Sequence, residues 1–214
     1  MLTRQSYATR EEWLKNRSVI GGSEAAAAVG KSPFTTNVEL WEYKTGRKVP
    51  PDLSENEAVQ YGVALEPALR TLYAAEHPEM LVAYYPYDIL QNDLFPYVAC
   101  TLDGELTERA TGRRGVLEIK TVQANSRMVW LNWQDRVPEY YFIQCMAQLI
   151  ATGWDFVDLY AQLKKLNGDS EIRRYHFERE DHLDDIQWLK PRLESFWVNH
   201  VLADVRPSTI LPGI

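Results

Sequence analysis

Only two cysteines occur in this sequence, Cys100 and Cys145, both in apolar runs and neither at a CxxC or Cys/His spacing. That excludes a disulfide scaffold and a cysteine-based zinc site as working assumptions, and fits a reducing cytoplasm. No apolar run approaches the roughly 18 residues a membrane span requires, and the opening MLTRQSYATREEW lacks the apolar stretch of a signal peptide. A chain neither exported nor membrane-embedded is expected. Gly/Ser linkers, internal repeats and low-complexity tracts are also missing, so nothing divides the 214 residues, and one domain spanning 1–214 is the expectation. The four histidines, His77, His176, His182 and His200, are scattered and give little support to a histidine nucleophile.

Excess positive charge is lacking too. The net charge is −7, and residues 178–204 alone hold seven acidic and three basic side chains. A protein that coats nucleic acid with its whole surface needs clustered Lys and Arg, so any DNA contact must be local. What the chain does have, 45% hydrophobic, 12% aromatic and 25% charged residues, is the composition of a folded soluble protein.

The patterning is mixed α and β. Glu11 to Arg17 reads as a short helix, and GGSEAAAAVG as a second, with Ser23 as N-cap and Gly30 as its end. Thr36 and Glu39 form a capping-box pattern before a helix through Tyr43 that Gly46 ends. From Glu55 to about Ala75, apolar residues recur at helical spacing with Glu66 among them, and Pro67 predicts a kink or break. Strand patterns follow at Val82 to Leu90, Tyr97 to Leu102 and Gly115 to Thr121, expected to pair as an antiparallel meander. Pro138 opens a helix through Ala151, Phe156 to Leu163 and Ile172 to Phe177 read as a hairpin turning at Asn167-Gly168, and an amphipathic helix with Leu183, Ile186, Leu189, Leu193, Trp197 and Val201 on one face closes the chain. The expected class is α/β (α+β), a central mixed sheet flanked by helices.

The chemistry lies in CTLDGELTERATGRRGVLEIKT. Asp103 ends one strand, and a returning strand bears Glu118-Ile119-Lys120. Side chains alternate along a strand, so Glu118 and Lys120 share a face while Ile119 points to the core, and Asp103 meets them across the pair. Two carboxylates beside a lysine suit Mg²⁺, which prefers a few oxygen ligands and keeps its waters. The backbone carbonyl of Ile119 adds an oxygen, and the Lys120 ammonium can orient the attacking water and offset charge on the phosphorane. An exposed Glu/Lys pair on an amphipathic strand is the bland alternative; the upstream Asp103, the Glu66 helix before the sheet and the helix with Gln144 and Gln148 after it tip the balance.

Four blocks in order resemble the lambda-type, YqaJ-like exonucleases of phage recombination systems, within the PD-(D/E)XK nuclease superfamily. These are Trp13 to Arg17 with Ser23-Glu24, Tyr61-Gly62 with Leu65-Glu66-Pro67, Leu102-Asp103-Gly104 with Leu117 to Thr121, and Tyr140-Tyr141 with Gln144 leading to Thr152-Gly153. Leu102 replaces a frequent proline, and Cys145-Met146 a usual glutamine. The resemblance implies a PD-(D/E)XK fold, Mg²⁺ or Mn²⁺ dependence, digestion of the 5′ strand of duplex DNA, often a ring-shaped trimer, and a single-strand annealing recombinase as a partner. It assigns Glu66, Asp103 and Glu118 as acidic site residues, Glu66 through water, Lys120 as catalytic lysine and Gln144 as a supporting group. Glu66 as a salt-bridged helix residue and Gln144 as a buried structural amide stay open.

A pocket for a terminal 5′-phosphate is expected at Arg17, Ser23 and Lys31, where glycines and a helix start allow close approach of an anion; simple capping by Ser23 is the alternative. A net charge of −7 favours ring-like retention on DNA over a basic surface. The competing functions are a non-catalytic DNA-end-binding or annealing module and another PD-(D/E)XK enzyme such as an endonuclease. An iron–sulfur variant would need four cysteines.

Overall fold

The computed structural model describes residues 1–165 and 167–210. In chain order it contains β1 (Leu2–Ser6), α1 (Arg10–Asn16), β2 (Ile20–Gly21), a 3-10 turn at Gly22–Glu24, α2 (Ala25–Ala28), α3 (Asn37–Lys44) and α4 (Glu57–Glu76). Then come β3 (Met80–Ala83), β4 (Asp88–Asn92), β5 (Val98–Cys100), β6 (Gly104–Glu108), β7 (Arg114–Ala124), α5 (Arg127–Leu131), α6 (Glu139–Thr152), β8 (Phe156–Lys165), β9 (Ser170–Glu178) and α7 (Leu183–Phe196).

The strands form two mixed sheets, one ordered β3-β6-β7-β8-β9 and a smaller one ordered β1-β4-β5-β2. In the larger sheet β7 and β8 are parallel and the other neighbours antiparallel. Parallel neighbours need a crossover, and α6 supplies it. Leu69 and Tyr73 of α4 pack on Leu106, Leu117, Ile119 and Tyr160 on one face of this sheet. On the other side α6 is the centre of the main core: Cys145, Ala147, Leu149, Ile150 and Ala151 are fully buried with Leu90, Val98 and Val157. The α6 helix thus lies against both sheets, and its sequence is apolar nearly all round because little of it meets solvent.

Several expectations change. The stretch Val82 to Leu90 is not one strand: β3 belongs to the larger sheet and β4 to the smaller. Pro86 has no N–H to give a ladder, and Tyr87 adopts φ +63°, so the chain turns between them. The meander is replaced by the antiparallel set β3-β6-β7, with β6 inside a segment read as an excursion and β5 in the other sheet. Strand β1 is new; its LTRQS sequence is polar and largely exposed, without the alternation that marks a strand. Helix α4 continues through Pro67. The carbonyl four residues back, which the proline leaves without its helical donor, belongs to Val63 on the exposed side of the helix. Along α7, Phe196 joins the buried face while Leu183 is exposed, and the helix ends in a π-type turn at Trp197–Leu202. No helix among the described residues is long and apolar enough to cross a membrane.

Candidate active site

The site begins with a mismatch in strand length. β7 is paired with β8 along Gly115 to Ala124 but with β6 only from Arg114 to Leu117. Past Leu117 one edge of β7 has no strand beside it. Asp103, immediately before β6, fills the first place: its Oδ2 accepts the Ile119 N–H at 2.8 Å. Within a strand the N–H and C=O of one residue point to the same side, so the Ile119 carbonyl also faces this open edge. The Ile119 side chain is buried against α4, while Glu118 and Lys120 face the opposite way, as alternation requires.

Glu118 is 2% exposed. Its Oε1 accepts from Gln144 Nε2 at 2.7 Å and pairs with Lys120 Nζ at 2.5 Å, and its Oε2 accepts from Gln148 Nε2 at 2.5 Å. Lys120 also lies 4.9 Å from the Tyr141 ring centre. Helix α4 brings in the third carboxylate. Gly62 lets it approach β7 closely, since a Cβ there would stand 3.1 Å from Thr121 Oγ1, and Glu66 follows one turn later. Arg70 ties Glu66 to the turn: one guanidinium nitrogen bonds the Glu66 carboxylate and Nε donates to the Asp103 carbonyl at 2.5 Å.

Charge in this group is incompletely compensated. Burial and the neighbouring charge of Glu118 hold the Asp103 carboxyl well above the usual carboxylate range, and Glu66 is raised by burial and again by Glu118, despite Arg70. Burial alone would lower the Lys120 pKa, but Glu118 and Asp103 outweigh it and keep the ammonium protonated. Among the described residues no three His, Cys, Asp or Glu side chains form a preassembled metal cluster. The donors do fit a hard, partly hydrated cation: two carboxylates, a strand carbonyl and a third carboxylate nearby, whose mutual repulsion a cation would relieve.

These groups border a cleft of about 360 Å³ whose walls also include Trp13, Arg17, Ser23, Tyr84 and Tyr87. A model of the YqaJ-like viral recombinase domain matches residues 12–155, which contain every element of the cleft. The chain belongs to that family. It is 28% identical over 209 residues to the uncharacterized protein YqaJ of Bacillus subtilis (strain 168), covering 97% of this chain and 61% of that protein, so it spans less than two thirds of the relative's length. In fold it is similar to an alkaline exonuclease (LHK-Exo) from Laribacter hongkongensis, with TM-score 0.66, 20% identity, and 91% and 94% of the two chains covered. The same protein in complex with dAMP gives TM-score 0.63 and 18% identity over the same shares.

Glu66, Asp103, Glu118, Lys120, Gln144, Arg17 and Ser23 therefore share one cleft in this YqaJ-like domain. Lys31 does not join them. The chain turns at Gly30, φ +71°, and Lys31 pairs with Glu139 at 3.0 Å beside a separate hollow. Ser23 is not an N-cap either: it sits in the 3-10 turn, the cap position is Gly21, and the Gly21 N–H is taken by Glu24 Oε2 at 2.7 Å. An anion here would meet side chains in place of a helix terminus. Arg17 suits that role, because its guanidinium lies 4.7 Å over the Trp13 ring and has no carboxylate partner among the described residues. Sequence reasoning overlooked Arg70 and left Gln148 without a role. Each stands four residues after a recognised site residue, Glu66 or Gln144, and so on the same helical face; that spacing was the available signal.

Proposed function

We propose that this chain is a divalent-metal-dependent deoxyribonuclease that digests the 5′ strand of duplex DNA from an end, leaving a 3′ single-stranded overhang for recombination. It rests on one observation: Asp103, Glu118 and Lys120 converge at the open edge of β7, in the same cleft as the uncompensated Arg17 guanidinium. Family membership and the fold shared with an alkaline exonuclease support it.

Asp103, Glu118 and the Ile119 carbonyl would hold Mg²⁺, or Mn²⁺ in its place, with Glu66 acting through water. When bound, the ion supplies Lewis acidity and a water acidified toward neutral pH. The chain's own groups define the rest. Water attacks the phosphorus one nucleotide from the end; the new P–O bond forms as the P–O3′ bond breaks, the oxygen leaves as a 3′-hydroxyl, and a 5′-phosphate remains on the shortened strand. The protonated Lys120 donates to the phosphoryl oxygens as their charge grows. Arg17 and Ser23 hold the terminal 5′-phosphate, Arg17 through charge-assisted bonds that its planar fork can make in pairs. Since each turnover makes a new 5′-phosphate, one pocket serves every cycle. With an acidic surface overall, retention on DNA falls to a closed homotrimer, in the cytoplasm of a bacterial host and alongside an annealing recombinase.

The test is a linear duplex labelled at either end and incubated with Mg²⁺, compared with 5′-hydroxyl and circular forms. Mononucleotides released from 5′-phosphorylated ends, with circles intact, are expected, and Arg17→Ala should slow 5′-phosphorylated ends about tenfold more than 5′-hydroxyl ends. Nicked circles would make it an endonuclease. Binding of ends without cleavage would make it a non-catalytic module.

A further inference from the structure

Glu118 is the most enclosed carboxylate of the cleft, and α6 holds both of its oxygens. Gln144 reaches one and Gln148 the other, while Lys120 shares the first. Residues four apart lie on one helix face, so two amides meet a single carboxylate because α6 crosses β7 there. Of the two, Gln148 is energetically out of place. It is 1% exposed, flanked by fully buried Ala147 and Leu149, and its Oε1 finds no protein donor. The reverse orientation of the amide is worse, since it would set oxygen against carboxylate. A partnerless buried carbonyl is unfavourable, and a helix face selected for stability alone would carry an aliphatic side chain at this position.

We propose that Gln148 is a positioning residue that fixes the rotation of the Glu118 carboxylate for cation binding, retained at the expense of stability. This rests on Glu118 being a metal ligand. A carboxylate offers about four acceptor positions; Lys120, Gln144 and Gln148 occupy three, which leaves one and determines where it lies. Gln148 alone holds Oε2. Without it the remaining two partners both sit on Oε1, and the carboxylate can turn about its terminal bond.

Gln148→Met preserves length and removes both the donor and the partnerless acceptor. In the metal-free protein its melting temperature should stay within about 3 °C of wild type. Its Mn²⁺ affinity, measured by calorimetry without DNA, should fall about tenfold or more, and kcat on linear duplex should drop while KM for DNA is unchanged. Unchanged Mn²⁺ affinity overturns the proposal. So does a melting temperature lowered by about 10 °C or more, which would make Gln148 a support of the core. Glu118→Gln separates the two layers: if it binds Mn²⁺ like wild type, Glu118 is not a ligand, whereas loss of binding in Glu118→Gln but not in Gln148→Met removes the positioning role alone.

Discussion

Asp158 and Asp103 belong to neighbouring parts of the same sheet and have opposite acid–base character. Asp158, on β8, is fully buried, yet accepts from the Tyr73 hydroxyl, from Arg174 at 2.8 Å and from His176 at 2.6 Å. Burial alone would raise its pKa; hydrogen bonds from His176, Tyr73 and Arg174 more than offset that and hold it below the usual range. Asp103 has one backbone donor and faces two other carboxylates, so burial and then the charge of Glu118 prevail, and its proton is held more tightly. Burial pushes both carboxyls up, and what differs is whether donors oppose it. A fully satisfied carboxylate is a structural strut, and an undercompensated group of them is prepared for a cation.

The largest effects expected from that contrast separate activity from stability. Asp103→Ala, Glu118→Ala and Lys120→Ala should each lower cleavage of linear duplex at least about a thousandfold at saturating Mg²⁺, with circular dichroism unchanged. Asp158→Ala should leave cleavage per folded molecule intact but destabilise by about 2–4 kcal/mol, since it strands the buried Tyr73 hydroxyl and removes the shared partner of the partly exposed Arg174 and His176. The melting temperature would then fall by about 10 °C. Normal stability in Asp158→Ala, or near-normal turnover in any of the first three, erases the distinction.

How much of this the sequence discloses follows from which interactions are local. The Glu118-Ile119-Lys120 alternation, the capping box at Thr36 and Glu39, and the hairpin turn at Asn167-Gly168 depend on near neighbours, and all three form. The split of Val82 to Leu90 between two sheets depends on what pairs with each half, which no local period records. Polar β1 is a strand only because β4 offers it an edge. Within the site, Asp103 was legible from its turn, but its bond to the Ile119 N–H required knowing that β6 stops pairing at Leu117. Lys31 stands apart from the cleft because the chain turns at Gly30 and carries it toward Glu139, a change of direction that no local period records.

Smaller effects sharpen the contrast through pH. The folded-state pKa of Asp103 is raised, so the native protein binds the extra proton, and stability is lost as pH rises from the unfolded value of about 3.9 through the folded one. Asp103→Asn can still accept the Ile119 N–H and escapes this loss. Without divalent ions it should melt about 3–5 °C higher than wild type at neutral pH, with the gain vanishing near pH 4. His176 runs with the other network: hydrogen bonds from its ring to Asp158 and then Glu178 raise its pKa. Its contribution is complete below about pH 6.5 and is lost as pH rises through the folded value. His176→Asn should therefore flatten the decline in melting temperature on the alkaline side of neutrality, the smallest of these effects.

The most direct measurement is thermal unfolding of wild type, Asp103→Asn and Asp158→Asn with and without Mn²⁺, with no DNA present. A cation that binds only the folded state raises the melting temperature by an amount that grows with the logarithm of its concentration relative to Kd. Wild type and Asp158→Asn should both be stabilised by Mn²⁺, each from its own baseline, while Asp103→Asn, already higher without metal, should show little further rise. Equal Mn²⁺ stabilisation of Asp103→Asn and wild type would contradict the account, because the cation would then be bound by groups other than the undercompensated carboxylates of the cleft.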